Sequence, residues 1–107
     1  EAARRALVRE TQAQHQAVLS ALAQLQSTRA AVDAAEKALL STRSGLDLGA
    51  RSMTDLLLAI QTRSNAHNAH AHARHRYVLA TLLLQQAAGQ LGERELAAVN
   101  QLLASEL

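Results

Sequence analysis

The sequence predicts an all-α fold: a long antiparallel coiled-coil helical hairpin followed by a short C-terminal helix. Three observations carry that prediction. Strong helix formers dominate, with 24 Ala and 20 Leu among 107 residues. Proline is absent, and the four glycines fall at two places only, Gly45 with Gly49 and Gly89 with Gly92. Between those places apolar residues recur every seven positions over stretches longer than an ordinary globular helix. A β-sandwich or barrel needs β-branched and aromatic residues and frequent turn signals, and here the aromatic fraction is 1%. An ordinary globular core is excluded on the same ground. Disorder is disfavoured by a composition 49% hydrophobic and only 19% charged.

The first helix is predicted over residues 2–44, about 65 Å long at 1.5 Å per residue. Val18, Leu25, Val32, Leu39 and Leu46 form one line of its heptads, and Ala21, Thr28, Ala35 and Thr42 form the other. A strict period of seven imposes left-handed supercoiling, and small residues in the seam let the helices approach closely. Residues 45–52 read as the tip turn. Gly45 suits the position just past the helix end, where φ is positive, and Gly49 permits a second reversal. Ser52 caps the next helix, and Asp55 three residues on completes a capping box. The second helix is predicted over residues 53–88, about 54 Å long, with Ala59, Ala66, Ala73, Ala80 and Ala87 in its seam. Two long helices joined by a short loop run antiparallel. Gly89 is expected to end the second helix, and a short third helix is expected over residues 93–105, its start favoured by Glu93 and Glu95. Leu7, Val8, Leu19, Leu22 and Leu40 of the first helix and Leu57, Leu58, Leu82 and Leu83 of the second are read as lying off the seam. One hairpin cannot bury both sets, so self-association or a place in a larger helical wall is expected.

Function classes narrow by elimination. No Gly-rich phosphate loop, His-Glu-x-x-His motif or pocketed carboxylate pair is present, so no enzyme activity, cofactor or catalytic residue is expected. The net charge is +2 with ten scattered Arg and a single Lys37, unlike the clustered cations of a nucleic-acid binder. The longest apolar run, Val78 to Leu84, is too short to span a bilayer, so no direct membrane contact is expected. The first residue is Glu1 and no signal peptide is visible, which reads as a processed product or excised fragment. Between Asp55 and Glu93 no acidic residue occurs, whereas Arg63, Arg74, Arg76, His67, His70, His72 and His75 do. The stretch is therefore moderately basic, more so below about pH 6.5. His67 with His70 and His72 with His75 are helical neighbours. The two pairs point about 140° apart and no Cys, Asp or Glu is expected near them, so they are read as scattered surface or lumen-facing histidines and no metal site is expected.

Three blocks resemble one family. Gly45-Leu46-Asp47-Leu48-Gly49-Ala50-Arg51-Ser52-Met53-Thr54-Asp55-Leu56-Leu57 resembles the GYxVGTRTxxDVL tip motif of TolC-like outer-membrane efflux proteins. Ala73-Arg74-His75-Arg76-Tyr77 is similar to the family's ARYxY block. Leu84-Gln85-Gln86-Ala87-Ala88-Gly89-Gln90-Leu91, with Glu93, Leu96 and Asn100, is similar to its LkxAxGxLxexdLxxlN block. Residues 1–39 match in periodicity only. The resemblance implies a trimer whose helical hairpins form a hollow periplasmic cylinder, while inserted strands, absent here, build an outer-membrane barrel. It implies multidrug efflux or type I secretion, with the cylinder's tips meeting a periplasmic adaptor (membrane fusion) protein. This chain would be one hairpin of one repeat, and the third helix would belong to the equatorial belt. The tip contact would comprise Gly45, Leu46, Asp47, Leu48, Gly49, Arg51 and Ser52, with Arg51 tying neighbouring tips together and Asp55 at the pore entrance. Leu46 replaces a frequent Tyr, Leu58 a second acidic residue of some members, and His75 the first Tyr of the second block. A generic antiparallel coiled-coil scaffold or oligomerisation module is the alternative, and it would tolerate changes at Gly49 and Arg51.

Overall fold

The computed structural model describes residues 1–106, the side chains of Glu95 and Glu106 excepted. The described chain is a helical hairpin of α1 (Ala2–Asp47) and α2 (Met53–Glu106), joined by the turn 48–52. Two compact units are distinguished along it. One consists of Leu22–Arg76, and the other of Glu1–Ala21 with the chain from Tyr77 onward.

In the Leu22–Arg76 unit the seam follows the heptads. Val32, Ala35, Leu39 and Ala73 are buried, and Leu25, Thr28, Thr42, Leu46, Leu56, Ala59, Ala66 and His70 are half-buried beside them. The register is visible in one cross-helix hydrogen bond, between Thr28 Oγ1 and His70 Nδ1 at 3.0 Å. With Thr28 opposite His70, two antiparallel seven-residue repeats set Leu25 against Ala73, Val32 against Ala66 and Leu39 against Ala59. Each of these three large side chains of α1 thus meets an alanine of α2. Burying a Leu or Val in this way contributes roughly 1.5–3 kcal/mol. Polar links flank the seam. Arg76 donates to Gln24 Oε1. His67 Nε2 lies 2.9 Å from Glu36 Oε1, and Arg63 Nε lies 3.8 Å from the same oxygen. These ionic side chains are about half exposed, so they contribute to register more than to stability.

The other unit repeats the pattern with smaller residues. Ala21, Ala80 and Ala87 are buried, and Leu7, Val18, Tyr77, Leu84 and Leu91 are half-buried. Leu7, read from sequence as off the seam, in fact continues it, since it lies one heptad before the half-buried Gln14. Val78, Leu79, Leu82 and Leu83 remain exposed, as do Leu96, Val99, Leu102 and Leu103.

Two helix boundaries differ from expectation. α1 does not stop at residue 44 but runs through Gly45 to Asp47. α2 does not end at residue 88, and the expected third helix 93–105 is its continuation. Gly89 and Gly92 have open space around them and neither takes a positive φ, so neither makes the reversal that ends a helix. A helical glycine costs only about 1 kcal/mol relative to Ala. Leu84 and Leu91, seven apart and both half-buried, carry the seam across the glycines. No described helix is long and apolar enough to cross a membrane.

The seam predicts opposite outcomes for two small-residue substitutions. Ala73→Leu overfills a position only 2% exposed and should destabilise by about 1–3 kcal/mol. Gly89→Ala adds a methyl into open space within a helix and should stabilise by about 0.5–1 kcal/mol. Thermal unfolding of the purified protein, followed by far-ultraviolet circular dichroism, measures both.

Candidate functional site

The turn between the helices is built from two interlocking end motifs. At the end of α1 the Leu48 N–H donates to Ser44 O at 3.1 Å, the last helical bond. Gly49 then takes φ +80°. Its N–H donates to Leu46 O at 3.1 Å, and the Ala50 N–H donates to Gly45 O at 2.8 Å. This pair of bonds is a Schellman motif with Gly49 just past the helix end. The expectation that Gly45 would hold the positive φ is therefore corrected. A reversal at Gly45 would take Leu46 out of the helix, whereas a reversal at Gly49 keeps Leu46 half-buried in its heptad place.

The start of α2 forms as the sequence predicts. Asp55 N–H donates to Ser52 Oγ at 3.2 Å, and Ser52 N–H donates to Asp55 Oδ2 at 3.0 Å. This reciprocal capping box satisfies two backbone donors that would otherwise face only water. The Ser52 backbone N–H, followed by the Ser52 hydroxyl, holds the Asp55 carboxyl below its ordinary value, and the charge of Arg51 acts in the same direction. An anion at this place is also favoured by the helix dipole.

Gly45 has a different task from Gly49. Its carbonyl accepts from Ala50 and, at 3.1 Å, from the Arg51 N–H. A Cβ on Gly45 would lie 2.5 Å from Arg51 Cγ and 3.3 Å from Arg51 Cβ. The stem of Arg51 thus lies directly on the bare backbone of Gly45. No motif in the sequence signals this contact, because it joins residues on opposite sides of the reversal.

The turn brings the expected site residues together with distinct exposures. Leu46 and Asp55 are half-buried, while Asp47, Gly49, Arg51 and Ser52 are exposed. Leu48 is 84% exposed, the most exposed large apolar side chain described. Met53, Leu57 and Leu58 add exposed apolar surface at the start of α2. The result is a rigidly bonded reversal that presents apolar, acidic and cationic groups side by side.

The histidines divide more finely than the sequence suggested. His72 and His75 are exposed, but His70 is half-buried against Thr28, and His67 pairs with Glu36. The expectation that no carboxylate lies near them is overturned for His67, because α1 supplies one from 31 residues away. Matching the α2 alanines to the large residues of α1 leaves several seven-residue registers open, and only the observed one brings Glu36 to His67. Among the described residues no group of three or more His, Cys, Asp or Glu is arranged to hold a metal.

No protein-family profile matches the chain. Individual relatives do. The chain is 34% identical over 100 residues to the outer membrane protein TolC of Vibrio cholerae, a match covering 94% of this chain and 23% of that protein. It is 29% identical over 103 residues to the outer membrane protein TolC of Escherichia coli, covering 96% of this chain and 21% of that protein. The protein of the same name from Salmonella enteritidis is 28% identical, again over 96% of this chain. The chain spans less than a quarter of the length of these curated relatives. Because the matches cover 94–96% of the chain, the similarity reaches well into residues 1–39, where sequence motifs alone offered only periodicity.

The capping box predicts a pH-sensitive turn. Asp55 has a lowered pKa in the folded state, so its contribution is present above the ordinary carboxylate value and is lost as pH falls through the lowered one. Amide exchange at Ser52, Asp55 and Leu56 should therefore gain an acid-dependent opening, which Asp55→Asn should abolish. Ser52→Ala should loosen the start of α2 by about 1 kcal/mol. Exchange that is insensitive to both changes would show that the box does not hold the turn.

Proposed function

We propose, for a chain that is TolC-like over nearly its whole length, that it forms one hairpin in the periplasmic duct wall of a Gram-negative outer-membrane channel. In this reading the channel serves multidrug efflux or type I secretion, and the segment itself is a passive conduit without enzymatic activity. The turn at residues 45–52 is its docking tip for a periplasmic adaptor. The observation that carries the reading is the tip itself. Two end motifs fix its backbone, yet Leu48 stands almost fully exposed beside Asp47, Arg51 and Ser52. A merely connecting turn gains nothing from an exposed leucine, whereas a docking surface gains apolar area. Six or so such weak contacts around a trimeric mouth would add through multivalency.

The helix faces support a place in a wall. Leu57, Leu58 and Ile60 in one unit, and Val78, Leu79, Leu82 and Leu83 in the other, are apolar and exposed. Neighbouring hairpins of a trimer would cover them, and the gain is the usual one of about 25 cal/mol per Å² of apolar surface. Asp55, held ionised by Ser52, would place fixed negative charge at the entrance. Arg51 beside it would supply the cation that ties one tip to the next.

In the full-length parent, Gly49→Trp and Arg51→Glu should each abolish export. Trimer formation and outer-membrane insertion should persist, since neither change touches the seam. Normal export by both variants at normal channel levels would return the chain to the scaffold alternative. The isolated chain should self-associate at micromolar concentration, and a stable monomer in sedimentation would argue against lateral packing in a wall.

A further inference from the structure

The glycines of this chain are not equivalent. Gly89 and Gly92 border open space, and Gly49 borders open space but needs its positive φ. Gly45 is the reverse case: its φ is one any residue adopts, and the space where its Cβ would stand is filled. The filling atoms are Cγ and Cβ of Arg51, the near end of the side chain. A Cβ at 2.5 Å from Cγ cannot be relieved by swinging the guanidinium, because the clash is at the root of the side chain. The Arg51 backbone is held as well, through its N–H on the Gly45 carbonyl. Gly45 thus fixes Arg51 twice, by a hydrogen bond to the main chain and by a seat for the stem.

We infer that Gly45 is a positioning residue for Arg51: its bare Cα fixes the direction in which the guanidinium leaves the tip, and so its readiness to meet a carboxylate. The inference rests on the docking-tip reading for its functional consequence. Helix propensity argues against any other need for glycine here. Gly45 sits in the last turn of α1 with helical geometry, where Ala would be favoured. A long, charged side chain loses less entropy on binding when its first torsions are already set.

The test uses the full-length parent in its own host, read by resistance to the dyes and antibiotics to which deletion of the parent sensitises that host. Gly45→Ala, Arg51→Ala, the double variant and Gly89→Ala as a matched helical control are compared at equal channel levels. Gly45→Ala should lower export-dependent resistance about tenfold, on the scale of one lost charge-assisted contact. The double variant should be no worse than Arg51→Ala alone, because the 2.5 Å clash with Cγ is then gone and only the milder 3.3 Å contact with the residue-51 Cβ remains. Gly89→Ala should behave as the parent. A high-resolution structure of the Gly45→Ala trimer should show the Arg51 side chain rotated off α1 with the Gly49 reversal intact. If Arg51→Ala leaves resistance unchanged, the docking reading fails, and the structure alone decides the seat. If Arg51→Ala abolishes resistance but Gly45→Ala does not, or if the two losses add in the double variant, Gly45 does not act through Arg51 and the inference is overturned.

Discussion

Alanine facing a larger residue is the constraint on which the structure depends. In an antiparallel pair of long helices, two rows of large side chains would hold the backbones apart. In the Leu22–Arg76 unit the Thr28–His70 register sets Leu25, Val32 and Leu39 of α1 against Ala73, Ala66 and Ala59 of α2, so the space left by each of these alanines receives a Leu or Val. Among the described residues the buried ones are mostly alanines for this reason, and none is polar or charged. A core this thin has little apolar area per residue. It therefore relies on length, and it leaves many leucines exposed.

The same economy explains how the seam tolerates His70 and Tyr77. A histidine is accommodated at a heptad position because Thr28 stands opposite and offers a hydroxyl at 3.0 Å. The side chains of Arg63, His67 and Arg76 reach partners on α1 in Glu36 and Gln24. Such half-exposed contacts contribute little energy, but each is satisfied in one register only. They select among the seven-residue slips that a seam of repeated alanines would otherwise permit.

The tip shows how one short segment uses two glycines for unlike reasons. Gly49 supplies the left-handed backbone that a side chain would resist, and Gly45 supplies an absence of atoms where Arg51 lies. Between them the helix keeps Leu46 in its seam and releases Leu48 to solvent. The capping box then restarts the chain as α2, with an ionised Asp55 at the helix end where the dipole favours it.

The sequence by itself determined the helical hairpin, the heptad stripes, the reversal near residues 45–52 and the Ser52–Asp55 box. These are local or periodic properties: propensity, spacing and a cap three residues long. The tertiary structure alone decided where the helices end. Glycine at 45, 49, 89 and 92 offers four places to stop, and local preference treats them alike. Only Gly49 became a reversal, because stopping there keeps Leu46 in the seam, while Leu84 and Leu91 carry α2 past Gly89 and Gly92. The pairs Glu36 with His67 and Gly45 with Arg51 belong to the same class. They join residues that periodicity cannot connect, and they exist because packing chose one register and one turn from several that the sequence allows.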